Sequence, residues 1–227
     1  MTGDAAIRAV DRLAPDPDLI DQAAAVIRSG QTVIYPTRCL YGLGADALNP
    51  EAVDRVFRIK QRAADNPVSI LVADRKMLAA CAAEIPEAAE KIMQGFWPGG
   101  VTLVLRAAQI LPRALTGATG TIGIRMPAHP VPRALVEAVQ GPVTATSANL
   151  SGQAGPREIK ALAGSVAEAA GLVLDAGALE YGIGSTIVDV TCAPPRILRE
   201  GAVTAGDLRS LMTLADQEVT DMRETDS

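Results

Sequence analysis

The sequence predicts a single α/β (α+β) domain: an open, twisted, mixed β-sheet flanked by helices. Three observations carry this. Short apolar, β-branched runs such as "TVIYP" and "VTLVLRA" alternate with segments of helical period. Several such runs follow one another towards the C-terminal end, which a strictly doubly wound sheet would not show. Hydrophobic residues make up 48% of the 227, enough to bury a large core, and no repeat or low-complexity block interrupts them.

In chain order, residues 1–15 read as a polar leader and 16–214 as the domain. The first helix is expected at 18–29, with Asp16 as its N-cap, Pro17 at its first position and Gly30 at its end. "TVIYP" reads as a buried strand that runs out into a glycine loop, "YGLG". "NPEAVDRVFRIK" reads as a helix: Asn49 caps it, Glu51 faces the positive end of its dipole, and Ala52, Val56 and Ile59 share one stripe. Next come a strand "VSILVA", short helices near 76–84 and 87–96, a turn "WPGG", and the strands "VTLVLRA" and "TIGIRMP". A helix at 131–139 precedes the strands "PVTATSA", "GLVLDA", "STIVDV" and "RILRE". The last helix is expected at about 205–214, and 215–227 as a polar tail.

Composition removes several function classes. The net charge of −5 argues against a generic nucleic-acid coat or a membrane-surface binder, although "RVFRIKQR" is a local basic strip. Cys39, Cys81 and Cys192 are far apart and form no CxxC pair, which suits a reducing cytoplasm. There is no basic-then-apolar signal segment and no apolar run near the ~18 residues of a membrane span, so a cytoplasmic protein with no membrane partner is expected. The single histidine, His129, lies between prolines at a helix start and reads as a helix-entry residue. A histidine-rich metal site is therefore excluded, and no P-loop pattern is present.

What remains is a set of polar groups at strand ends. Lys60 and Arg62 stand just past a helix, close enough to converge on one anion, with Asn66 before the next strand. The same pair could equally be a solvated basic helix end. "TATSANLSG" ends a strand in hydroxyls and an amide, able either to hold phosphate or ribose oxygens or to cap a turn. Alternation in "TIGIRMP" puts Thr121, Gly123 and Arg125 on one face, where Arg125 could clamp an anion or form a surface ion pair. Ser185 opens a strand after two glycines, and Arg199 lies in "ILREG". Cations and hydroxyls without an acid–base histidine suit a bound polyanion and catalysis by positioning and charge neutralisation.

With these motifs in this order, the sequence resembles the YrdC/TsaC family of threonylcarbamoyl-AMP synthases. The stretches that carry the resemblance are "PTRCLYGLGADA", "KQR", "NPVSILV", "WPGGVTLVL", "TIGIRMPAHP", "TSANLSG", "GIGSTIVDV" and "ILREG". The family's K-x-R and S-x-N signatures appear as Lys60/Arg62 and Ser147/Asn149. The resemblance implies a YrdC-like fold of the short, single-domain type, enclosing a positive cavity. It implies the conversion of L-threonine, bicarbonate and ATP, with Mg²⁺ accompanying ATP, to threonylcarbamoyl-adenylate and pyrophosphate, feeding the t6A37 modification of tRNA and downstream threonylcarbamoyl-transfer proteins. Lys60, Arg62, Ser147 and Asn149 are the implied catalytic residues. ATP contacts are implied for Arg62, Asn66, Thr121, Ser147 and Arg199, threonine contacts for Arg125, Ala145 and Ser185, and a pocket wall for Thr37 and Tyr41. No metal-ligating residue is implied. Cys39, Leu71 and Gly155 depart from the family pattern, which has Thr and His at the first two positions in many members and Ser at the third in some. Two other readings stand beside this one: an RNA-binding or ribosome-assembly factor without catalysis, and carbamoyl transfer to a different amine.

Overall fold

The structure, a computed structural model, describes residues 6–63 and 66–211. It is one ten-stranded mixed sheet in the order β1-β8-β2-β3-β7-β4-β6-β5-β9-β10. The strands are β1 (Ala6–Ala9), β2 (Val33–Pro36), β3 (Tyr41–Gly44), β4 (Ser69–Leu71), β5 (Val101–Arg106), β6 (Thr121–Arg125), β7 (Val143–Ser147), β8 (Leu172–Asp175), β9 (Thr186–Asp189) and β10 (Arg196–Arg199). The β1/β8, β2/β8, β4/β6 and β5/β9 pairs are parallel, and the β2/β3, β3/β7, β4/β7, β5/β6 and β9/β10 pairs antiparallel.

The helices are α1 (Pro17–Arg28), α2 (Pro50–Lys60), α3 (Arg75–Cys81), α4 (Glu87–Phe96), α5 (Arg113–Thr116), α6 (Pro130–Val139), α7 (Gly164–Glu168) and α8 (Ala205–Leu211). The Asp16 side chain accepts from the Asp18 N–H, and that of Asn49 from the N–H groups of Glu51 and Ala52, so both expected caps form. The short α5 and α7, and a 3-10 turn at Ile159–Ala161, give no clear periodic signal in the sequence. The tail at 215–227 and the expected end of the last helix at 212–214 lie outside the described residues.

Two stretches differ from the sequence reading. Residues 6–9, placed in a polar leader, form the edge strand β1 against β8. "YGLG" is no loop but the fully buried strand β3, antiparallel to β2. Tyr35 lies opposite Gly42, and a Cβ on Gly42 or Gly44 would come within 2.9 or 2.8 Å of its ring. The glycines are therefore there to seat an aromatic ring across the strand, not to make the backbone flexible.

Strand alternation and register give the sheet two unlike faces. One carries Ile34, Leu43, Ile70, Leu103, Ile122 and Ile124, packed under α2, α3, α4, α5, α7 and α8. On the other, α1 and α6 cover Val33, Leu71 and Val143 towards one end of the strands. The rest of that face carries Gly42, Ala145, Ser147, Ser69, Gly123, Thr121, Arg125 and Thr102, adjacent across β3, β7, β4, β6 and β5.

Candidate active site: a cationic, hydroxyl-lined sheet face

The first cluster joins the end of α2 to the end of β7. Gln61 adopts a left-handed conformation (φ 49°) that stops the helix straight after Lys60. The Lys60 side chain is 1% exposed, and its Nζ donates to Ser147 O (2.6 Å), Asn149 O (2.8 Å) and Asn149 Oδ1 (2.9 Å). The Ser147 hydroxyl also donates to Asn149 Oδ1, and Asn149 Nδ2 donates to Gln153 O. The K-x-R lysine and the S-x-N motif are thus one network. Lys60 fixes the strand end from below, and does not converge with Arg62 on an open anion as the spacing alone allowed.

Arg62 turns the other way. Its Nε donates to Asn66 O (2.8 Å), and its Nη2 donates to Asn66 Oδ1 (2.8 Å) and Pro67 O (3.1 Å). The guanidinium is half-buried and braces the approach to β4, with Asn66 as its partner.

The second cluster surrounds Arg125. The β4–β6 register sets Arg125 beside Leu71, and Ser69 pairs with Ala145 on β7. Burial pulls the Arg125 guanidinium below its usual range; Tyr35 and Cys39 oppose that, and the like charge of Arg199 adds to it. These three groups are therefore close enough to Arg125 to act on its charge. Tyr35, fully buried, is pushed up to about 12 by desolvation, with Arg125 pulling the other way. Cys39 donates its thiol to Ile183 O (3.5 Å), which holds the loop before β9 against the β2–β3 turn. Arg199 Nη2 donates to Ser185 O (2.9 Å), and the Ser185 and Thr102 hydroxyls are 2.8 Å apart. Thr121 lies on the same strand face as Arg125 and shares a hydroxyl bond with Thr119 (2.8 Å).

Thr37 and Tyr41 fare differently. Thr37 Oγ1 donates to Leu40 O (2.6 Å) and shapes the turn that carries Cys39. Tyr41 is no pocket wall: it is 0% exposed on the helix-packed face, and its hydroxyl bonds Gly177 O (2.8 Å), Asp175 Oδ1 (3.1 Å) and the Ala176 N–H (2.9 Å). Alternation puts Tyr41 on the Leu43 side of β3, away from Gly42, and burial pushes its phenol up to about 12. Gly155 packs on Leu40 of the same turn, where a Cβ would meet Leu40 Cδ1 at 2.8 Å. His129 is the N-cap residue of α6. Sequence reasoning passed over Tyr35 and Thr102. The only signals were a hydroxyl inside each of two apolar runs, "TVIYP" and "VTLVLR".

The fold and this face define a class: an open mixed-sheet protein with cations and hydroxyls gathered on one sheet face. A family model, Sua5/YciO/YrdC, described as "Telomere recombination", matches residues 25–201. A Pyrococcus abyssi threonylcarbamoyl-AMP synthase is 40% identical over 190 residues, covering 84% of this chain and 56% of the relative. A Mycobacterium tuberculosis relative is 39% identical over 185 residues, covering 82% of this chain and 85% of the relative. The crystal structure of P. abyssi Sua5 complexed with L-threonine superposes with a TM-score of 0.83 at 39% identity, over 90% of this chain and 60% of that one. The chain belongs to the Sua5/YciO/YrdC family. It spans little more than half the length of the Pyrococcus relative and most of the mycobacterial one.

Proposed function

We propose that the chain is an L-threonylcarbamoyladenylate synthase. This nucleotidyltransferase would convert L-threonine, bicarbonate and ATP to threonylcarbamoyl-AMP, pyrophosphate and water, for t6A37 modification of tRNA. The names of the relatives and the threonine complex of one of them support the reading. The observation that carries it is Arg125. The residue is half-buried on the open face with a desolvated guanidinium, the charges that act on it include no carboxylate, and among the described residues its side chain forms no ion pair. Burying a cation costs several kcal/mol, so a site that keeps one without an acid is built for a ligand's acid. The threonine carboxylate is that partner, with Ala145 and Ser185 beside it.

ATP then lies towards the β7 end, where Ser147 and Asn149 are held by Lys60, with Arg62, Asn66, Thr121 and Arg199 as its further contacts. Carbamate forms at the threonine amine. A carbamate oxygen attacks the α-phosphorus and pyrophosphate leaves. The roles of the residues are to bind, align and neutralise charge, so no histidine base is needed. Mg²⁺ would arrive bound to the triphosphate of ATP. The product would be used in the cytoplasm on tRNA through downstream transfer proteins; among the described residues no helix is long and apolar enough to cross a membrane.

The test is mass detection of threonylcarbamoyl-adenylate alongside pyrophosphate release, with each substrate omitted in turn. Both signals are expected only when all three are present, and product-free pyrophosphate release without threonine would sink the assignment. In the strip "RVFRIKQR", which an RNA-binding reading would use, Lys60 is buried, Arg55 and Arg62 are half-buried and Arg58 is exposed.

A further inference from the structure

Thr102 lies in β5, and among the described residues its hydroxyl has one partner, the Ser185 hydroxyl at 2.8 Å. It is 3% exposed within an otherwise apolar strand. In the antiparallel β5–β6 ladder Leu103 pairs with Ile124, so the next residues along, Thr102 and Arg125, are neighbours on the open face. Gly123 makes room for this arrangement: a Cβ there would meet Ser69 Oγ at 2.5 Å and Thr102 Cγ2 at 3.2 Å.

Ser185 is held through its carbonyl and through the next residue. Arg199 bonds its carbonyl at 2.9 Å, and the Thr186 N–H bonds Gly100 O at 2.9 Å. The Thr186 hydroxyl accepts from Gly201 N (2.9 Å) and Val203 N (3.0 Å). The backbone is therefore anchored at the Ser185 carbonyl and at the following residue, and the Ser185 hydroxyl can turn its proton to either side.

We infer that Thr102 is a positioning residue for threonine: its hydroxyl donates to Ser185 Oγ and leaves the Ser185 proton to donate to the carboxylate held by Arg125. A hydroxyl that accepts one bond is a better donor in the next, and the relay runs in a buried setting where each bond is electrostatically stronger than in water. The inference rests on the proposed synthase activity and adds a residue to its amino-acid seat.

The experiment compares wild type, Thr102→Val and Thr102→Ser in the pyrophosphate-release assay, with KM for threonine and for ATP measured separately. Valine keeps the shape and the strand preference, and removes only the hydroxyl. Its threonine KM should rise about 10-fold, the size expected for a hydrogen bond to a charged group, while the ATP KM stays within about twofold. Thr102→Ser restores the donor and should recover threonine KM to within about threefold. An unchanged threonine KM in Thr102→Val, an equal rise in both KM values, or a serine variant as impaired as valine would each overturn the inference. If wild type releases no threonine-dependent pyrophosphate, the synthase reading itself fails, which these variants tell apart from a failure confined to Thr102. If Thr102→Val does not fold, Thr102→Ser and Ser185→Ala carry the comparison, with an unchanged threonine KM in Ser185→Ala counting against the relay.

Discussion

The two faces of the central sheet are made by the same strands, one residue apart, and they obey opposite rules. On β6, Ile122 and Ile124 are at most 1% exposed under the helices, while Thr121, Gly123 and Arg125 are half-buried on the other side. β7 turns Thr144 to the packed side, where its hydroxyl accepts from the Ala45 N–H, and Ala145 and Ser147 to the open side. The packed face holds large apolar side chains and polar groups bonded within the chain. The open face holds small residues, hydroxyls and a cation without a carboxylate. Where α1 and α6 leave the second face uncovered, strand parity would thus separate the proposed ligand chemistry from stability, and substitutions on neighbouring residues should read out in different assays.

The largest expected effect is on the packed face. Ile124→Ala removes a fully buried side chain from the main core cluster. It should cost about 4 kcal/mol of unfolding free energy, with kcat/KM little changed in the protein that stays folded. Denaturant titration checks the first part and pyrophosphate release the second. A strong loss of kcat/KM at full stability would break the separation of the faces.

Next to it in sequence, Arg125→Met should do the reverse. Threonine-dependent kcat/KM should fall by about 3 kcal/mol, roughly 100-fold, because the carboxylate loses its charge partner. Stability should hold or rise, since a desolvated cation is replaced by an apolar chain of similar length. A variant that is unstable but fully active per folded molecule would make Arg125 a structural residue and remove the observation on which the proposed function rests.

Much of this was legible in the sequence because period and punctuation are local. Asp16–Pro17 and Asn49–Pro50 mark helix starts without reference to the rest of the chain, and both form as expected. Arg125 could be placed on a polar strand face because "TIGIRMP" alternates cleanly. What escaped depends on partners far away in sequence. Gly42 and Gly44 read as a loop until Tyr35 is seen in register with them. Lys60 in a last helical turn reads as a solvated cation, and only the return of β7 beneath it, 87 residues later, supplies the oxygens that bury it. Thr102 is one hydroxyl in an apolar strand until Ser185, 83 residues on, comes alongside.

The smallest effect tests the residue that changed face. Tyr41 stands beside the site in sequence, within "CLYGLG", but behind it in space. Its hydroxyl bonds the end of β8 and the residues after it, and Tyr41→Phe leaves the Ala176 N–H and the Gly177 carbonyl without that partner. Such groups cost about 1–3 kcal/mol when stranded, and here they lie near a strand end where water can partly replace the phenol, so a loss of about 1.5 kcal/mol is expected. In a chain of this size that is a Tm lowered by roughly 3–6 °C. Threonine and ATP KM should both stay within about twofold, since the ring remains and no ligand-facing atom is lost. A threonine KM raised several-fold at unchanged Tm would put the Tyr41 hydroxyl back in the pocket, and strand parity on β3 would no longer separate ligand chemistry from stability.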